Sequence, residues 1–133
     1  MPERSLAEVA AVLVGKAEED ATAVRLFAAN DEIGDHIVGF HAQQAIEKWL
    51  KAVLASRGEK FEYTHDLHRL VMQVTHDSGE LPADVDAIIA LTQYAVPLRY
   101  ADVLDAEPLD RDTTLKLVDA MHRWAEAKLK SDQ

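Results

Sequence analysis

The feature that most constrains this chain is the breadth of the apolar surface carried by residues 35–58. Ala42, Ala45, Ile46, Trp49 and Val53 recur at helical steps as one stripe, while Ile37, Phe40, Leu50 and Leu54 widen it well beyond a single seam. Such a helix needs more than one neighbour. It either takes the central place in a bundle or divides its faces between internal packing and a dimer contact. Gly58 is its expected stop, and Asp35, just after the break at Ile33 and Gly34, its expected N-cap.

Helical spacing continues on both sides. Leu6, Val9, Ala10, Leu13, Ala17, Ala21, Val24 and Phe27 make one face of a long first helix that ends near Asn30, with Glu8, Glu18 and Arg25 pointing outward. Thr64 or Asp66 caps a short third helix built on Leu67, Leu70, Val71 and Val74 and closed by Ser78 and Gly79. Leu81 and Pro82 open a fourth, with Pro82 in the first turn. Val85, Ile88, Ile89, Thr92 and Ala95 or Val96 form its buried face, and Pro97 ends or kinks it. Residues 98–109 make a loop longer than bundle connections usually are. A last helix starts within residues 110–113 and buries Leu115, Val118, Met121 or His122, Ala125 and Leu129. No segment alternates with period two, so the expected fold is all-α, a single domain over residues 1–133. It is an antiparallel bundle of about five helices, two of them long and N-terminal.

A chain of 133 residues can bury one core without staples, and its lack of cysteine removes disulfides, thiol nucleophiles and Cys-ligated zinc. No run reaches the roughly 18 apolar residues of a membrane span. The apolar residues 9–14 follow Glu3, Arg4 and Glu8 rather than a positive leader, so neither signal peptide nor anchor is expected and the cytoplasm is the expected location. A net charge of −10 argues against broad polyanion binding. That acidity is concentrated: residues 77–112 hold nine acids against Arg99 and Arg111, a net of −7. Lys48, Lys51, Arg57, Lys60 and Arg69 nearly balance Glu47, Glu59, Glu62 and Asp66, which makes the middle of the chain the better host for an anionic ligand.

The run Phe40-His41-Ala42-Gln43-Gln44-Ala45-Ile46-Glu47-Lys48-Trp49-Leu50-Lys51-Ala52-Val53-Leu54, followed past Gly58 by Thr64-His65-Asp66-Leu67, resembles the signature of HEPN domains. With Arg99-Tyr100 at the entrance of the long loop, the resemblance spans most of the chain. It implies a bundle of four or five helices that dimerises through its long helices, with a cleft near the dyad for nucleotide or RNA. Many such domains cleave RNA or partner minimal nucleotidyltransferases in two-component, toxin–antitoxin-like systems. In the cleaving members an Arg is followed four to six residues later by a His, and two such pairs meet across the dimer. The His moves the 2′-hydroxyl or leaving-group proton and the Arg stabilises charge on the phosphate. Here Leu104, Asp105 and Ala106 stand near the required positions. Asp102 or Asp105 would be a poor proton donor near neutral pH and would repel phosphate.

The leading expectation is therefore a binding partner without the usual ribonuclease centre, a homodimer with no cofactor, no metal and no membrane contact. The ligand residues are expected to be Arg99, Tyr100, His41, Gln44 and Lys48, the last three forming one polar stripe at steps of three and four. The local alternative is that Lys48 reaches water and His41 satisfies a hydrogen bond. Two other functions stay open: a metal-independent endoribonuclease toxin that uses Arg99, and a helical adaptor without ligand. Tyr94 and Tyr100 carry hydroxyls suited to modification by a transferase partner.

Other constellations are weaker. Arg69 and His76 match the Arg-to-His spacing, but about one such pair is expected by chance among seven Arg and six His. His65, Asp66 and His68 suggest a metal, yet Asp66 at a helix start is better explained as a cap. Trp49 and Trp124 read as packing rather than stacking platforms. No phosphate-binding Gly-rich loop, nucleophile elbow or His-Glu-x-x-His occurs.

Overall fold

The computed structural model describes residues 5–61, 63–76, 80–95 and 107–131. They form α1 (Leu6–Ala28), α2 (Asp35–Ser56), α3 (Leu67–Thr75), α4 (Val85–Ala90), a 3-10 turn (Leu91–Tyr94) and α5 (Arg111–Ser131), with no strand among them. The wide apolar surface of α2 is used as the sequence required. That helix packs against α1, α3, the 3-10 turn and α5, and Ile46, Trp49, Leu50, Val53 and Leu54 are all essentially inaccessible to water. Burial of such side chains contributes roughly 1.5–3 kcal/mol each relative to exposure.

α1 begins where the Ser5 hydroxyl accepts the Glu8 amide at 3.1 Å. It faces the core through Ala10, Ala17, Ala21 and Val24, while Leu6, Val9, Leu13 and Phe27 are only partly covered. Small residues on this face let α1 lie close to α2. Contacts from Asp20 to His41 and Lys48, and from Phe27 to His41, set the two helices antiparallel. α5 also runs antiparallel to α1, since Arg111 reaches Phe27 while His122 reaches Glu18.

α2 ends as expected. Gly58 has φ 77°, its amide bonds to Ala55 O at 3.0 Å and the Glu59 amide bonds to Leu54 O at 3.0 Å, so the last carbonyls are satisfied by a left-handed closure that glycine makes at least cost. The chain then doubles back, placing His65 beside Gln43 and Glu47 and bringing the Val74 carbonyl to the Arg57 guanidinium at 3.0 Å. Asp66 caps α3 by accepting the His68 amide at 3.0 Å, and Thr64 Oγ1 accepts the Asp66 amide at 3.0 Å. The expected closure of α3 at Ser78 and Gly79 lies outside the described residues.

Two expectations need correction. Gly34, not Asp35, is the N-cap of α2. The Asp35 carboxylate is drawn across the chain instead, accepting the Leu109 amide at 2.9 Å and Arg111 Nε at 3.0 Å. The fourth helix does not run as α-helix to Ala95. Asp84 caps it, so Pro82 precedes the first turn instead of sitting in it, Val85 is exposed and not buried, and beyond Ala90 the helix tightens into the 3-10 turn. That turn brings the Tyr94 ring against Gly39, where a Cβ would lie 2.6 Å from the ring. Val96 and Pro97 lie outside the described residues. In α5 the buried residues are Thr114, Leu117, Val118, Met121, Trp124 and Ala125, with Leu115 and Leu129 packed partly against them.

Arg111 is the knot of the structure. Its guanidinium donates to the carbonyls of Phe27 (3.1 Å), Ala28 (3.3 Å), Asn30 (3.1 Å) and Ile33 (2.5 Å) while pairing with Asp35. One planar fork with five N–H groups thus holds the end of α1, the turn after it, the start of α2 and the start of α5.

Candidate functional site

α2 carries polar side chains on two faces, and both are built into internal networks. On the α1 side, Asp20 accepts from both His41 Nδ1 at 2.9 Å and Lys48 Nζ at 2.5 Å, while its own side chain is only 12 % exposed. His41 is further held edge-on by the rings of Phe27 and Phe40. Gln44 turns away and donates to Gln43 Oε1 at 2.6 Å. The expected His41–Gln44–Lys48 stripe is therefore split: two members are tied to Asp20 and the third feeds a different network.

That second network is buried. Gln43 Nε2 donates to Glu47 Oε1 at 2.9 Å and to the His65 carbonyl at 3.1 Å. Glu47 Oε2 accepts Lys51 Nζ at 3.1 Å, and Lys51 also lies over the Phe61 ring, 5.5 Å from its centroid. Gln43, Glu47 and Lys51 are all buried, so their partners offset the desolvation of two charges. His65 Nδ1 sits 2.8 Å from Glu47 Oε1, but its side chain remains 63 % exposed. A buried carboxylate thus orients an accessible imidazole, which holds the tautomer with its proton on Nδ1 and turns Nε2 away from Glu47.

Beyond His65, the outer side of α3 and the preceding loop line an open, shallow cavity of about 470 Å³, bordered by Lys60, His68, Arg69, Met72 and Gln73. Met72 is exposed, and Tyr63, in the loop before α3, is fully so. Gln73 Nε2 donates to the Lys60 carbonyl at 2.8 Å and closes one wall. Two cations and an imidazole converge here in a chain that is strongly acidic overall. His65, Asp66 and His68 do not converge as metal ligands, since His65 turns to Glu47 and Asp66 to the backbone.

Arg99 and Tyr100 lie outside the described residues. The residues that flank their segment meet at a second cavity of about 490 Å³, lined among others by Gln93, Tyr94, Glu107, Asp110 and Thr113. Tyr94 has its phenol pKa raised by burial and, second, by the charge of Asp35. Arg69, on α3, and His76, at its C-terminal end, are both exposed. Trp49 is buried in the core and Trp124 nearly so, as expected for packing residues.

Sequence reasoning missed Asp20, Arg111 and the pairing of Glu47 with His65. The Gln43, Glu47 and Lys51 spacing of four was a legible signal for the helix pairs. The partners from α1, α5 and the 59–66 loop carried none.

A family model for the HEPN domain matches residues 10–128. The chain belongs to the HEPN family, and its all-helical bundle is the architecture expected from the resemblance. Comparisons with curated proteins and with solved structures found no match.

Proposed function

We propose that this HEPN protein is a binding module for a nucleotide or a short RNA segment, acting as partner of a minimal nucleotidyltransferase in a two-component, toxin–antitoxin-like system. The observation that carries this reading is the Lys60–His68–Arg69 cavity on α3, a local cationic site in a chain of net charge −10. Exposed Met72 in its lining offers apolar contact for a base. Arg99 and Tyr100 remain proposed ligand residues, since each has suitable chemistry and opens the long loop. His41, Gln44 and Lys48 act behind the surface: Asp20 holds His41 and Lys48, and Gln44 extends the polar network toward Glu47. The chain works as a cytoplasmic homodimer and needs no cofactor.

A second reading is a metal-independent endoribonuclease, and the Glu47–His65 pair favours it. An imidazole held at Nδ1 by a carboxylate and open at Nε2 has the form of a general base, and Arg69 or Arg99 would supply charge for the phosphate. One experiment addresses both readings. Labelled single-stranded RNA and free nucleotides are incubated with wild type, Lys60→Glu/Arg69→Glu, His65→Ala and Arg99→Ala, following binding and cleavage together. Salt-dependent binding of intact ligand that falls at least tenfold in the double variant supports the binding module. Cleavage abolished by His65→Ala or Arg99→Ala replaces it with the nuclease. Absence of both activities leaves a helical adaptor.

A further inference from the structure

Away from these sites, α1 and α5 bring together three side chains that no step above uses. His122 and Glu126 are four residues apart on α5 and share one face, and Glu18 on α1 faces them. His122 Nε2 lies 3.0 Å from Glu126 Oε1 and 3.8 Å from Glu18 Oε1, and all three ligand atoms fall within 4.8 Å of one another. The imidazole cannot swing freely, because it stacks on Trp49 with centroids 4.9 Å apart and planes 14° from parallel. Despite its proximity to two carboxylates, Nε2 is shielded from solvent and has no aligned hydrogen-bond partner. Nε2 is thus held between two carboxylates with its hydrogen bond unmade, a position in which a cation could be received.

We propose that Glu18, His122 and Glu126 form a divalent-cation site, selective for zinc, that joins α1 to α5. One imidazole nitrogen and two carboxylate oxygens are a donor set zinc accepts at about 2.0–2.2 Å, with a fourth position left for water. Tetrahedral ligands at that range stand about 3.3 Å apart, so the two nitrogen–oxygen separations of 3.0 and 3.8 Å already bracket the requirement. Both glutamates are more than half exposed and can close the remaining slack by changing rotamer. The ion cancels two like charges in an already acidic chain. Zinc on Nε2 requires the ring proton on Nδ1. At present Arg25 faces Nδ1 at 3.3 Å and Asp119 at 3.3 Å. On loading, Nδ1 carries the ring proton and Arg25 keeps only its pair with Asp119.

The test uses the untagged full chain, stripped with chelator and titrated with zinc chloride by calorimetry, while the histidine ring nitrogens are followed by NMR. One zinc per chain is expected, with a shift of the His122 Nε2 resonance and a raised melting temperature. Glu18→Gln/Glu126→Gln should weaken binding at least tenfold while keeping the wild-type helical signal in chelator. Magnesium, which wants six oxygens, should leave the His122 resonance unmoved. Zinc affinity unchanged in the double variant, an unmoved His122 resonance, or magnesium binding as well as zinc would each overturn the proposal.

Discussion

Replacing Arg111 by Ala should be among the most damaging single charge removals in the described residues. The change strips donors from four backbone carbonyls and leaves the Asp35 carboxylate, among the described residues, with the Leu109 amide as its hydrogen-bond donor. Hydrogen bonds to a charged group contribute about 1.5–3 kcal/mol each when measured singly, but Arg111 is 21 % and Asp35 36 % exposed. Water therefore recovers part of every lost bond, and a net cost of about 3 kcal/mol is expected. At roughly 2.1 cal/mol/K per residue the whole chain has an unfolding entropy near 280 cal/mol/K, so the melting temperature should drop by about 10 °C. Calorimetry with urea titration measures it. Arg111→Lys keeps the charge but not the fork, and should recover less than half. The pH dependence adds an independent check. The Leu109 amide first, and Arg111 second, hold the Asp35 pKa below its ordinary 3.8 against the opposing effect of burial. A lowered folded-state pKa contributes stability that is present above the unfolded value and lost as pH falls through the folded one. The gap between wild type and Arg111→Ala should therefore be full at pH 6 and narrow below about pH 4. A melting shift under 3 °C, or a gap that widens in acid, would refute the reasoning.

Other outcomes follow from the same geometry. Glu47→Ala leaves Lys51 buried beside an empty acceptor and should cost about 3–4 kcal/mol, whereas Glu47→Met/Lys51→Met should cost less than that single change; urea unfolding of both variants decides it. Gly15 lies within α1, and a Cβ placed there would meet nothing within 4 Å, so Gly15→Ala should stabilise by about 0.5–1 kcal/mol. Gly39→Ala should destabilise by about 1–3 kcal/mol, because its Cβ would press on the Tyr94 ring; thermal melts that rank these two alike would count against the close approach.

The sequence determined the helices, the centrality of the one spanning residues 35–56 and the family, because apolar period and turn chemistry are local properties of the chain. The Gly58 stop and the Asp66 cap were equally legible, each needing only residues a few positions away. Asp35 shows where that reasoning ends. It has the composition and position of a cap, yet its carboxylate is used by Leu109 and Arg111, more than seventy residues later. The stripe of His41, Gln44 and Lys48 likewise has the spacing of a ligand surface, but Asp20 from the neighbouring helix meets two of its members. Glu18, His122 and Glu126 meet only because α1 and α5 pack antiparallel. A side chain's type and spacing are written in the chain, but its partner across a helix interface is chosen by packing. Only the tertiary structure decided which polar groups serve the fold and which are left to serve a ligand.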